Sequence, residues 1–80
     1  MKRQHHYLKT ESAYYQAIAR SEKKFELRKN DRKFKKGDLV TLEEVINGVK
    51  TGKRLPAFEI RYLLEEGKYG LPEGYCIFNW

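Results

Sequence analysis

From Lys23 to the last residue, apolar side chains recur at every second position in short runs, and each run is stopped by glycine, proline, asparagine or aspartate. Phe25 and Leu27 form one such set, Val40 and Leu42 a second, and Phe58, Ile60, Tyr62 and Leu64 the longest. A period of two is that of a strand with one face turned inward. The interruptions are turn formers: Asn30-Asp31, Gly37-Asp38, Asn47-Gly48, Gly52, Pro56, and a stretch over residues 65–74 with three glycines and Pro72. The chain is thereby confined to short strands, and residues 46–56 read as a turn or an extended hairpin tip.

One stretch departs from this period. Thr10 or Ser12 can cap a helix running to about Arg20, with Glu11 in its first turn and Ala13, Tyr14, Ala17 and Ile18 on one face. A short strand over residues 5–9 precedes it, and strands over residues 23–29, 38–45, 57–64 and 75–80 follow. The expectation is a small α+β domain spanning residues 1–80: a curled mixed β-sheet approaching a barrel, with one N-terminal helix across one end. Phe25 and Leu27 are expected to face the core, with Lys24, Glu26 and Arg28 outward. The last strand, carrying Phe78 and Trp80, is expected to pair inside the sheet rather than trail.

Eighty residues suffice for one hydrophobic core, and 40% hydrophobic content with eleven aromatics argues against disorder. Tyr15 and Tyr69 are the rings expected at the surface. The lone Cys76, within the apolar run YCIFNW, reads as a buried structural thiol. No apolar run approaches the roughly 20 residues that span a bilayer, and the start lacks the hydrophobic stretch of a signal peptide, so a cytoplasmic protein is expected. His5 and His6 fall on opposite faces of a strand and do not jointly bind a metal. No P-loop, dinucleotide-binding glycine motif or nucleophile motif is present, and no cofactor is expected.

The net charge of +6 is carried entirely by residues 20–36, RSEKKFELRKNDRKFKK, with nine cations against three acids. Charge so concentrated makes a local field that attracts a polyanion. Lys24, Glu26 and Arg28 place a carboxylate between two cations on one strand face, where arginine offers a planar fork to phosphate or a base edge. Lys29, Asn30, Asp31 and Arg32 continue into a basic turn suited to a phosphate backbone.

The run Ser21 to Arg32, followed by Phe34, Lys35 and Gly37-Asp38, resembles the ASCH group of the PUA-like superfamily. More narrowly, it is similar to small bacterial and phage members of uncharacterised function that carry a K-x-F-E-x-R-x-N-D-R pattern. The similarity extends over the preceding helix, the Thr51-Gly52-Lys53-Arg54 turn and residues 71–77. It implies a PUA-like pseudo-barrel with a cleft beside the strand of that pattern, and a role in binding RNA. Some ASCH relatives are small amidohydrolases acting on an acylated cytidine through a lysine, a strand threonine and a glutamate. Lys23 matches the lysine, but Glu26 stands where the threonine would be, and that mechanism does not carry over.

The leading expectation is a non-catalytic module binding RNA or a nucleotide. Lys23, Lys24, Arg28, Lys29 and Arg32 would meet phosphates, and Glu26, Asn30 and Asp31 would shape the cleft. The alternatives are a small hydrolase of a modified nucleoside or RNA centred on Lys23 and Glu26, and a module that docks its basic face on an acidic protein.

Overall fold

In the computed structural model, which describes residues 3–65 and 70–80, the chain forms β1 (His5–Glu11), α1 (Ser12–Ala19), β2 (Phe25–Lys29), β3 (Leu39–Ile46), β4 (Val49–Arg54), β5 (Phe58–Glu59), β6 (Tyr62–Leu64) and β7 (Tyr75–Asn79). The strands make two sheets in a mixed α+β domain. In the first, β3 is central: β1 runs parallel to it along its whole length, and β4 and β5 lie antiparallel on its other side. In the second, β7 is flanked by β2 and β6, both antiparallel. The last strand is thus central, as its aromatics foretold.

Local chemistry explains the connections. Asn47 and Gly48 both have positive φ, 50° and 79°, which matches the two-residue turn that suits strand twist in a hairpin, and β3 folds back on β4 there. The helix ends on Ser21 at φ 63°, with Ser21 N–H donating to Ile18 and Glu22 N–H to Ala17, the paired bonds of a left-handed C-terminal cap. Buried Asp38 accepts from the backbone N–H groups of Gln4 and Lys35 and pairs with His6 Nε2 at 2.9 Å. It thereby ties the start of β1 to the entry of β3. Burial alone would raise the Asp38 carboxyl, but these bonds outweigh it and hold the group below its ordinary value.

The two sheets are joined where the chain passes from β5 to β6. Ile60 exchanges backbone bonds with the β3 entry, to Asp38 O and from Gly37 N–H, while Arg61 N–H donates to Asn79 O of β7. The order around the molecule is therefore β1, β3, β5, β6, β7, β2, and the sheet does not close into a barrel. The opening lies between β1 and β2, which form no ladder among the described residues. Leu8, Ile18, Phe34, Val40, Leu42, Ile60, Cys76 and Phe78 fill the space between the sheets. Burial, and secondarily the acids Glu65 and Asp31, push the Cys76 thiol up to about 11, as befits a core thiol.

Three expectations from the pattern are corrected. On β2 it is Glu26 that is buried, at 4% exposure, while Phe25 and Leu27 stand outside at 49% and 52%. The reason is register: Glu26 lies beside Phe78 and Arg28 beside Cys76, and those β7 residues are fully buried. Adjacent strands share faces, so β7 decides which side of β2 turns inward. On α1, Tyr15 and Ile18 are buried and Tyr14 is exposed, so the helix is rotated from the expected stripe. Residues 57–64 do not make one strand: the chain changes sheet at Ile60, and Tyr62 emerges at the surface instead of continuing the buried face. Tyr69 lies outside the described residues.

Candidate functional site

The opening between β1 and β2 forms a cleft of about 510 Å³, lined from β1 and the helix start by Lys9, Thr10, Glu11 and Tyr14, and from the other side by Lys23, Phe25, Glu26, Leu27 and Arg28. Each wall has a local cause. The helix cap at Ser21 turns the chain so that Lys23, two residues on, reaches into the cleft. Alternation on β2 then turns Glu26 and Arg28 to its interior, and alternation on β1 turns Thr10 inward, at 3% exposure.

Glu26 is the centre of the arrangement. Lys23 Nζ donates to its Oε1 at 2.5 Å and Arg28 Nε to its Oε2 at 2.8 Å. Lys23 Nζ also donates to the backbone oxygen of Phe25 and lies 4.8 Å from the Phe25 ring centroid and 5.7 Å from that of Tyr14. Arg28 spans the opening: its Nη2 donates to Lys9 O at 2.9 Å and to Thr10 Oγ1 at 3.1 Å. Arg32 makes a similar crossing, donating from Nη1 to Tyr7 O at 3.0 Å. One carboxylate against Lys23 and Arg28 leaves a net positive cleft interior, with two aromatic rings at its rim.

The residues singled out in the sequence are therefore divided. Lys23, Glu26 and Arg28 come together in the cleft. Lys24 and Lys29 are exposed and do not line it, and Lys29 shares the outer side of β2 with Phe25 and Leu27. Asn30 is used by the fold: its Oδ1 accepts from Phe34 N–H and its own N–H donates to Gly74 O, which seats Phe34 in the core. Asp31 is exposed in the same turn, and Arg32 holds β1. Lys9, Thr10, Glu11 and Tyr14 enter the cleft only because β1 and β2 end up facing each other. Lys24, Lys29, Lys33, Lys35 and Lys36 have no carboxylate partner among the described residues, and all five are exposed.

No group of three or more His, Cys, Asp and Glu positioned for a metal ion occurs among the described residues, and no helix there is long and apolar enough to cross a membrane. A family model described as a domain of unknown function, DUF3850, matches residues 5–80, nearly the whole chain. The chain belongs to the DUF3850 family. Within curated proteins it is similar to the uncharacterised 12.9 kDa protein in the GpA 3' region of Escherichia phage P2, 35% identical over 52 residues, which is 65% of this chain. The chain matches about half the length of that relative, 48%. The segment that builds the cleft thus lies wholly within the span assigned to DUF3850.

Proposed function

We propose that this DUF3850 domain has the PUA-like fold of the ASCH group and binds RNA or a nucleotide, taking one base into the cleft between β1 and β2. The strand order, open between β1 and β2 beside the strand that carries the K-x-F-E-x-R-x-N-D-R pattern, supports the fold assignment. The observation that carries the functional reading is a buried carboxylate clamped by two cations on the floor of an open cleft. Such a triad contributes little net stability, because desolvation offsets most of the Coulombic gain, so its value lies in recognition. A cleft of a few hundred Å³ takes a ligand of nucleoside size. Tyr14 and Phe25 offer rings for stacking, Arg28 a planar fork, and Lys9 and Lys23 of the lining positive charge for a phosphate.

Titrating a short single-stranded RNA at several salt concentrations tests this. Affinity should fall as salt rises, and Arg28→Ala should weaken binding about ten-fold or more. Affinity that ignores both salt and Arg28 would sink the reading.

One observation favours a second reading. Thr10 brings a hydroxyl into the same cleft, within reach of Arg28, opposite the Lys23–Glu26 pair, so the groups for hydrolysing a modified nucleoside or RNA share one cavity. Turnover of acylated nucleosides that vanishes in both Lys23→Ala and Glu26→Ala would move the protein into this class; turnover indifferent to both would remove the site from it.

A further inference from the structure

Among the described residues, no helix or strand packs on the outer face of the second sheet. Its rows follow from the register: Phe25, Asn79 and Tyr62 lie side by side across β2, β7 and β6, and Leu27, Ile77 and Leu64 form the next row. Two of the first row are rings in the open, Phe25 at 49% and Tyr62 at 63% exposure. With strands about 4.8 Å apart, these rings stand roughly 10 Å from each other with the polar Asn79 between them. Lys29, exposed and without a carboxylate partner among the described residues, stands on the same outer side of β2 two rows along from Phe25.

We infer that this face is a stacking platform for two nucleotides of a single strand, continuing outward from the base held in the cleft. The inference rests on the nucleic-acid reading above and adds a second, separate surface to it. Phe25 is the link, since its ring lines the cleft while standing at the edge of the outer row. A single-stranded nucleic acid suits the face on two grounds. Its charge is complementary: a chain of net charge +6, with Lys29 exposed on the same outer side of β2 as Phe25 and Leu27, meets a phosphate backbone, whereas a second copy of the same chain would be repelled. Its size also fits. Three short strands present a patch roughly 15 Å on a side, a few hundred Å² at most, well below the roughly 800 Å² per partner of a stable protein interface. Two bases stacked on two rings require no more than that.

Asn79, exposed between the rings, can donate to or accept from a base edge.

The test compares a labelled uridine hexanucleotide with uridine monophosphate, by anisotropy and calorimetry, on the full chain. Tyr62→Ala should weaken the hexanucleotide about ten-fold while leaving the monophosphate unchanged, and Tyr62→Phe should retain wild-type affinity for both. Glu26→Gln, in contrast, should weaken the monophosphate. Hexanucleotide affinity that Tyr62→Ala leaves intact would overturn the platform, as would wild-type protein that binds the hexanucleotide no more tightly than the monophosphate. A concentration-dependent dimer that Tyr62→Ala dissolves would also overturn it, by giving the face to a second copy. Failure of the cleft reads out separately: no monophosphate binding, with hexanucleotide binding that still depends on Tyr62.

Discussion

Glu26 and Glu44 are both buried glutamates on inward strand faces, yet they are held by different means. Glu44 accepts from three neutral groups, Ser12 Oγ at 2.9 Å, Gln16 Nε2 at 2.8 Å and Thr51 Oγ1 at 2.8 Å, and so fastens α1 and the β3–β4 hairpin to each other. Those three bonds, ahead of the opposing effect of burial, hold its carboxyl below the ordinary value. Glu26 is held by two cations in a cleft that solvent and ligands can enter. The difference separates fold from site: a carboxylate whose neutral donors come from two elements is a joint between them, and one held by two cations in an open cleft can exchange partners with a ligand.

The sharpest way to break the comparison is to remove both acids. Glu44→Ala removes the one acceptor that joins Ser12 and Gln16 of α1 to Thr51 of β4, and should lower the melting temperature by about 10 °C or more, read by circular dichroism. Glu26→Gln should lower it far less, because Lys23 and Arg28 can rehydrate through the cleft, while ligand affinity drops about ten-fold. Equal thermal losses would erase the distinction between joint and site.

Acid provides a second, smaller probe. Glu44 and Asp38 both have lowered native values, so the native state holds fewer protons than the unfolded chain as pH falls through the ordinary carboxylate range. The stability they contribute is complete above that range and is lost as pH drops toward the lowered native values. Urea unfolding from pH 7 downward should therefore show stability falling below about pH 4.5, with a shallower fall in Glu44→Gln. A slope identical to wild type in that variant would refute the assignment.

How far this was readable in advance depended on which residues carried the information. Asn47-Gly48 specified its hairpin, because a two-residue turn with both φ positive leaves few alternatives. Val40 and Leu42 declared the inward face of β3, because two fully apolar side chains at alternate positions mark the buried side even though Glu44 also lies on it. The K-x-F-E-x-R segment marked the strand that lines the cleft but assigned its faces the wrong way round. Period two establishes which side chains share a side, and only the pairing with Cys76 and Phe78 establishes that the side with Glu26 is the inner one. Thr10 and Tyr14 were unreadable as site residues, because their role arises from an opening between strands far apart in sequence.

The smallest effect concerns the aim of Lys23. Ser21 adopts a left-handed conformation that glycine takes without strain, so Ser21→Gly should stabilise the fold by up to about 1 kcal/mol in denaturant titrations. With the turn unchanged, Lys23 keeps its contact with Glu26, and ligand affinity should match wild type. A loss of affinity would mean that the serine side chain itself shapes the cleft.

Arg28 and Arg32 have a consequence beyond ligands. The carbonyls of Lys9 and Tyr7 that accept from them lie on the side of β1 turned away from β3, the row a foreign strand would use to add itself to the sheet. Two guanidinium groups already occupy that row. They act as stoppers against edge-to-edge aggregation, and a ligand that drew Arg28 away from Lys9 would have to shield the vacated edge itself.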